Sequence, residues 1–411
     1  MRAIYIFLLT VLTITFFSSC TKEPGGAITK NIELPSGAAN VIHASGKFGF
    51  DLFNSVVAKK ADENILVSPL SIFMAVSMVY NGADNATKDS IAKALQVQGI
   101  SIDDVNAACK ALIEQMPGLD NKVNLSIANA IWYKNSGMQP LPSFLDVTAN
   151  NFKAEVSSLD FSSNASVNII NNWVADKTND KIKKVIDAID PGDLMYLINA
   201  IYFKGSWQYA FKSSDTYTDV FHVSGNENVT VPFMKQRMNV NNAVTDDFEM
   251  IELPYGGGKS YSMYIVLPRN ASTSISAFVS NLHETKLQDA IATMRSMDRT
   301  IIIPSWEYEY SIDDLRIPLS ELGMGVAFSD FADFSKLYAG NVAITKALHK
   351  TYIKVNEEGT EAAAVTVIGV GTTSTAPGQE FKVDRPFVYV IAEKQSGSIL
   401  FSGILHNPLS H

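Results

Sequence analysis

The run from Glu357 to Ser374 constrains the fold more than any other stretch of this chain. It reads Glu-Glu-Gly-Thr-Glu-Ala-Ala-Ala-Val-Thr-Val-Ile-Gly-Val-Gly-Thr-Thr-Ser. Its first half is small residues with Gly359 as a pivot, and its second half is rich in β-branched residues that favour extended backbone. Taken alone, the run also fits a short Ala-rich helix capped by Thr360, or a surface loop. The flanks argue for a strand-capable segment. Upstream, Ala343 to Asn356 alternates, with Thr351, Ile353 and Val355 set against Tyr352, Lys354 and Asn356, as in a half-buried strand. Downstream, 385–391 and 398–404 read as two strands joined by a turn at Lys394-Gln395-Ser396-Gly397. A fold for this chain must therefore suspend a segment able to become a strand between two anchored ones.

Five further motifs accompany that run: Asn64-Ile65-Leu66-Val67-Ser68-Pro69-Leu70-Ser71-Ile72; Asn199-Ala200-Ile201-Tyr202-Phe203-Lys204-Gly205-Ser206-Trp207; His349-Lys350; Asp384-Arg385-Pro386-Phe387; and Phe401-Ser402-Gly403 with Asn407-Pro408. Their order and spacing over residues 43 to 408 resemble the serpin family. The resemblance implies an α+β fold with three β-sheets surrounded by about nine helices, and an exposed reactive-centre loop spanning about 358–380.

Composition agrees with one large domain. The chain has 411 residues, 46% of them apolar, which is ample for a sizeable core. No Pro/Gly/Ser-rich linker, charge run or internal repeat divides the body, so 43–411 is read as a single domain. The N-terminus differs. Arg2 precedes a near-continuous apolar run from Ile4 to Phe17, too short for a transmembrane helix, and Phe17-Ser18-Ser19-Cys20 follows. Residues 1–19 thus read as a signal peptide. Small residues before a cysteine resemble the bacterial lipoprotein signal, which makes Cys20 the lipidated first residue and 20–42 a tether. Phe17 stands where that motif usually has Leu, so cleavage by the ordinary signal peptidase is the alternative. The expected location is a bacterial membrane, the outer one, held by the lipid anchor alone.

Removing the signal takes away one basic and no acidic side chain, moving the formal charge from −9 to −10. With no cluster of Lys and Arg, a nucleic-acid partner is not expected. The only other cysteine, Cys109, lies on the apolar face of a helical pattern with Val105, Leu112 and Ile113, and reads as inert core. No enzyme emerges: His283-Glu284 lacks a second histidine, no Gly-x-Ser-x-Gly elbow occurs, and Gly256-Gly257-Gly258-Lys259-Ser260 is a turn, since a phosphate loop would need glycine at Leu253. Neither a cofactor nor a metal is expected.

In chain order, Phe48, Leu52, Phe53, Val56 and Val57 mark a first amphipathic helix, and Ser68-Pro69 caps and opens a second one, apolar nearly all round. Val123 to Tyr133 and Met195 to Phe203 read as long strands, with a helix around Ile169 to Val174. By resemblance, the strands belong to the main sheet and the helix crosses its face. Ser68, Ser71, Asn199 and His349 then match the polar network beneath the strands that part, and Trp207 the tryptophan where the loop enters. Without the other matches, His349 would read as an ordinary satisfied core histidine.

The family presents its loop as bait. A protease cleaves it to an acyl-enzyme, the loop inserts into the main sheet, and the enzyme is dragged away and distorted. The hinge maps to Glu357, Gly359, Thr360, Glu361, Ala362, Ala363, Ala364 and Val365, the last departing from the family's alanine. In an inserted strand Thr360, Ala362, Ala364 and Thr366 face inward and Glu361 outward, and no inward residue is charged. A new strand of about a dozen residues, at roughly 0.5–1.5 kcal/mol per hydrogen bond, releases on the order of 10 kcal/mol. The uncleaved chain must be kinetically trapped. In relatives Glu357 pairs with a base that follows a proline; here Pro304 is followed by Ser305. Loop length puts the scissile bond at Thr373-Ser374, with bonds among Val370, Gly371, Thr372 and Thr373 left open because the interval to Pro386 is slightly long. Between Gly359 and Phe381 there is no Lys, Arg or aromatic residue, which suits the shallow pocket of elastase-like or subtilisin-like serine proteases. A papain-like cysteine protease is a secondary target, a monomer is expected, and a non-inhibitory binding or carrier member is the alternative.

Overall fold

The computed structural model describes residues 30–60, 62–190, 192–224, 227–361 and 379–410. The signal segment, Cys20, Ala362 to Val365 and the candidate scissile bonds from Val370 to Ser374 lie outside the described residues. Nine α-helices occur among the described residues: α1 (Ala38–Val57), α2 (Pro69–Tyr80), α3 (Asn85–Ala94), α4 (Ile102–Gln115), α5 (Pro142–Phe152), α6 (Asn164–Lys177), α7 (Ile275–Val279), α8 (Glu284–Thr293) and α9 (Arg316–Leu319).

The larger sheet runs β1 (Ile65–Val67), β15 (Ile399–Leu405), β14 (Phe387–Glu393), β8 (Tyr261–Pro268), β7 (Phe248–Pro254), β6 (Glu227–Val244), β9 (Arg295–Pro304) and β13 (Gln379–Lys382), with β5 (Tyr217–Ser224) also on β6. The 18-residue β6 belongs to two wings. Its Glu227 to Phe233 pair with β5, Phe233 to Asn242 with β9, and Asn241 to Val244 with β7. The two smaller sheets expected from the resemblance are thus one hydrogen-bonded network, joined by a single long strand.

The second sheet, of six strands, holds the functional elements. Its order is β10 (Trp306–Ile312), β11 (His349–Asn356), β12 (Gly359–Thr360), β4 (Met195–Ser206), β2 (Val123–Lys134) and β3 (Glu155–Leu159). β11 is shorter than the alternation from Ala343 suggests, because Ala343 to Leu348 form no strand. α2 lies between the two sheets, packed on β4 and β15. Ser68 caps it, accepting from the Ser71 amide, and Pro69 occupies the first turn. Phe73, Met74 and Met78 are fully buried on it, each contributing about 1.5–3 kcal/mol of transfer free energy. On the outer face, α6 crosses β2 and β4 over a second core of Trp132, Phe161, Ile170, Ile186 and Tyr196.

The tether expected over residues 20–42 is corrected in its last part. The Lys30 amide donates to Leu119 O, and the Ile32 and Glu33 amides to the side chains of Gln395 and Gln115. α1 starts at Ala38, five residues before the expected domain boundary at 43, because Ala38, Val41 and Ile42 continue its apolar face and are buried.

Candidate functional site

The hinge begins with a side-chain turn. At the end of β11, Asn356 Oδ1 accepts from the amides of Glu358 (3.1 Å) and Gly359 (3.2 Å), reversing the chain. Gly359 and Thr360 then lie between β11 and β4, paired with Asn356 and Val355 on one side and with Ser206 and Gly205 on the other. Only glycine fits at 359: its φ is +151°, and a Cβ would stand 2.0 Å from the Gly205 carbonyl oxygen. Thr360 points inward and is buried, its Oγ1 2.5 Å from the Tyr255 hydroxyl.

Segment 207–216 clasps this turn from outside the strands. Trp207 stacks on Tyr255 with ring centroids 4.5 Å apart, and its Nε1 donates to Asn356 O at 2.9 Å. The amides of Trp207 and Phe211 donate to the carbonyls of Glu358 and Glu357. The Glu357 carboxylate accepts from Thr216 Oγ1 at 2.7 Å, so a neutral hydroxyl serves where Ser305 offers no base.

The chain leaves the sheet at Glu361, whose φ is +53°. Its amide donates to Lys354 O, and its carboxylate lies on the outer face, accepting from Tyr202 OH (3.1 Å) and facing Lys181 Nζ (3.3 Å). Burial pushes this carboxyl above its usual range, against the pull of Lys181. Lys181 also lies over the Tyr352 ring, so the segment after α6 touches both the hinge and β11.

Beyond Thr360, no pairing joins β4 to β11 among the described residues. The gap opens into a cavity of about 260 Å³ whose walls include Leu197, Asn199, Leu348, His349 and, from α2, Ser71 and Ile72. All four expected network residues meet here. The Ser68 amide donates to His349 Nε2 at 3.0 Å, and Ser68 Oγ to Leu400 O at 2.7 Å. Ser71 Oγ donates to Asn199 Oδ1, Asn199 Nδ2 to Asn129 Oδ1 (2.8 Å), and Asn129 Nδ2 to Phe152 O (2.7 Å). One branch holds β11 to the start of α2, and the other holds β4 to it. Each branch can find new partners if the strands part. Burial pushes His349 down to about 4, so its ring is neutral and its Nε2 is occupied by an amide. It cannot take a proton from either serine hydroxyl in this arrangement, and the cluster is no nucleophilic dyad.

Sequence reasoning missed Asn129, Tyr255, Tyr202 and Lys181. Asn129 was discoverable, as a polar residue in phase with the buried Ile127 and Ile131 of β2. The other three join the site only through strand register and the placement of α6.

A family model described as Serpin (serine protease inhibitor) matches residues 43–408. A leukocyte elastase inhibitor of Bos taurus is 33% identical over 377 residues, covering 89% of this chain and 98% of that one. An uncharacterized serpin-like protein of Thermococcus kodakarensis is 32% identical over 380 residues, covering 90% and 86%. Among solved structures, the thermophilic serpin tengpin in its native state superposes with a TM-score of 0.83 at 34% identity, covering 92% of this chain and 96% of that one. Human thyroxine-binding globulin complexed with thyroxine also reaches 0.83, at 27% identity, covering 91% and 100%.

Proposed function

Because the chain belongs to the serpin family, we propose that it inhibits serine proteases as a suicide substrate: cleavage at Thr373-Ser374 leaves an acyl-enzyme, and the freed loop continues into the gap that Gly359 and Thr360 have begun to fill. The observation that carries this reading is the seated hinge. Two small residues are paired on both sides, the inward one is uncharged, and a cavity continues beyond them. The absence of basic and aromatic residues from 359 to 380, together with the likeness to a leukocyte elastase inhibitor, supports an elastase-like or subtilisin-like target. The likeness to thyroxine-binding globulin supports a carrier reading at the level of fold; the glycine and alanines of the hinge favour inhibition.

Incubation with neutrophil-type elastase, followed by denaturing electrophoresis and intact-mass analysis, tests the proposal. A covalent band plus a released peptide beginning at Ser374 supports both mechanism and bond. Loop cleavage without a covalent band across a panel of elastase-like and subtilisin-like enzymes counts against inhibition. We also propose that the protein is a monomer tethered to a bacterial membrane through acylated Cys20. Cys20→Ser should move it from the detergent phase to the aqueous phase; unchanged partition overturns the anchor.

A further inference from the structure

The cavity beside β4 and β11 extends well below the hinge. Ala343 to Leu348 form no strand and are bonded instead to the elements opposite β4: the Ile344 amide donates to Ala327 O in the 3-10 turn Gly325–Phe328, and Ala347 O accepts from the Leu315 amide. The lower walls are therefore apolar, with Val79 from α2, Leu197 from β4, Leu319 from α9, and Phe328, Phe334 and Leu337 beyond it. Their volume of about 260 Å³ exceeds the roughly 150 Å³ of an engineered apolar cavity that takes up benzene. Most polar groups on these walls are already partnered. Ser71 Oγ and both polar atoms of Asn199 belong to the network above, while Thr345 Oγ1 and Lys346 Nζ turn to Asp193, at 2.9 and 3.3 Å. His349 is the exception. It is 6% exposed, and its Nε2 accepts from the Ser68 amide, so in the neutral ring the proton sits on Nδ1. Among the described residues that N–H meets no acceptor, and burial alone accounts for the lowered basicity of the ring.

We propose that this cavity is a binding site for an uncharged, mainly apolar molecule of at least benzene's size that carries one carbonyl acceptor. Its apolar body would lie against α2 and the side chains of 315–337, and its oxygen would accept from His349 Nδ1–H. An apolar cavity with one or two placed polar groups is the usual form of a small-molecule site: burial of the body supplies affinity, and the single hydrogen bond fixes orientation. A buried donor without an acceptor carries the cost of its lost hydration, which such a ligand relieves and a pure hydrocarbon does not. A charged head is disfavoured, because among the described residues the one cation on the walls, Lys346, already faces Asp193. Such a site exists whether or not the chain inhibits a protease.

Acetophenone and ethylbenzene, alike in shape except for the carbonyl, are the probes, titrated calorimetrically into the full chain without protease. Expected are one acetophenone per chain, competition by ethylbenzene, and benzoate at least tenfold weaker than the ketone. The carbonyl stretch of bound acetophenone should lie below its value in an alkane, as a hydrogen bond requires. Photolysis of bound benzophenone, a larger diaryl ketone, should label peptides from 71–79 or 315–349. His349→Met leaves a weak acceptor for the Ser68 amide but no donor, and should weaken acetophenone relative to ethylbenzene at least fivefold. No saturable binding, benzoate bound as tightly as the ketone, a stretch at the alkane value, label outside the cavity walls, or an unchanged preference in a folded His349→Met overturns the assignment. The binding, infrared and labelling measurements use wild type, so they decide the matter even if the variant does not fold. A missing covalent complex with elastase would leave all of these results as they are, so failure of the inhibitory reading shows separately.

Discussion

Thr360→Arg is the sharpest test of how the hinge works. Thr360 is 3% exposed and faces the fully buried Tyr255, between β11 and β4. Seating a guanidinium there without a buried carboxylate costs several kcal/mol. The seated hinge contributes about four ladder hydrogen bonds, roughly 2–6 kcal/mol in total. The two figures are comparable, so the arginine withdraws the hinge from the sheet or leaves it barely seated. Insertion starts from this end, and each 1.4 kcal/mol added to its barrier slows it tenfold. An increase of about 3 kcal/mol therefore slows insertion by roughly two orders of magnitude. Acyl-enzyme hydrolysis is untouched and should win. The assay is the stoichiometry of elastase inhibition with the products resolved by electrophoresis: wild type gives mainly covalent complex, and Thr360→Arg mainly cleaved protein and free enzyme. Thr360→Val is the control, losing the Tyr255 contact at about 1 kcal/mol while remaining an inhibitor. If Thr360→Arg traps protease as efficiently as wild type, the hinge does not limit insertion and the reasoning fails.

Other outcomes follow from the same geometry. Gly359→Ala should unseat the hinge through its clash with the Gly205 carbonyl, destabilising the uncleaved protein by about 1–3 kcal/mol in a urea melt. The pH dependence has a definite sign: His349 falls from 6.5 to about 4 on folding, so the unfolded chain binds the extra proton between those values. Stability should fall as the pH drops through that window, by about 3 kcal/mol at the limit. The urea midpoint should therefore change less from pH 7 to 4 in His349→Gln than in wild type. Cys109, buried and pushed up to about 12, should resist alkylation at pH 8 until the protein unfolds, making thiol labelling a clock for global opening. Trp207→Phe keeps the stack on Tyr255 but removes the bond to Asn356 O, and should speed amide exchange of Glu358 and Gly359 several-fold.

Much of this protein is written in local pattern. Ser68-Pro69 before a nearly all-apolar run specifies α2, alternation specifies β2 and β11, and the unbroken small-residue hinge between anchored strands announces a segment that can change its place. Ser68, Ser71, Asn199, His349 and Trp207 were legible because each belongs to a contiguous motif. What local pattern could not decide is partnership across distance. Nothing near Arg299 indicates that its side chain donates to the carbonyls of Gln379 and Glu380, and nothing near Lys181 indicates a buried glutamate at the hinge. The seat of the hinge was equally hidden. Alternation assigns Thr360 inward and Glu361 outward in any inserted strand, but it says nothing of which groups they meet. The seating of the described hinge residues comes from tertiary contacts: Gly359 against Gly205, Thr360 against Tyr255, and Glu361 turned out toward Tyr202 and Lys181. Side-chain periodicity is a property of one strand, whereas register and burial depend on which strands and helices come to lie beside it.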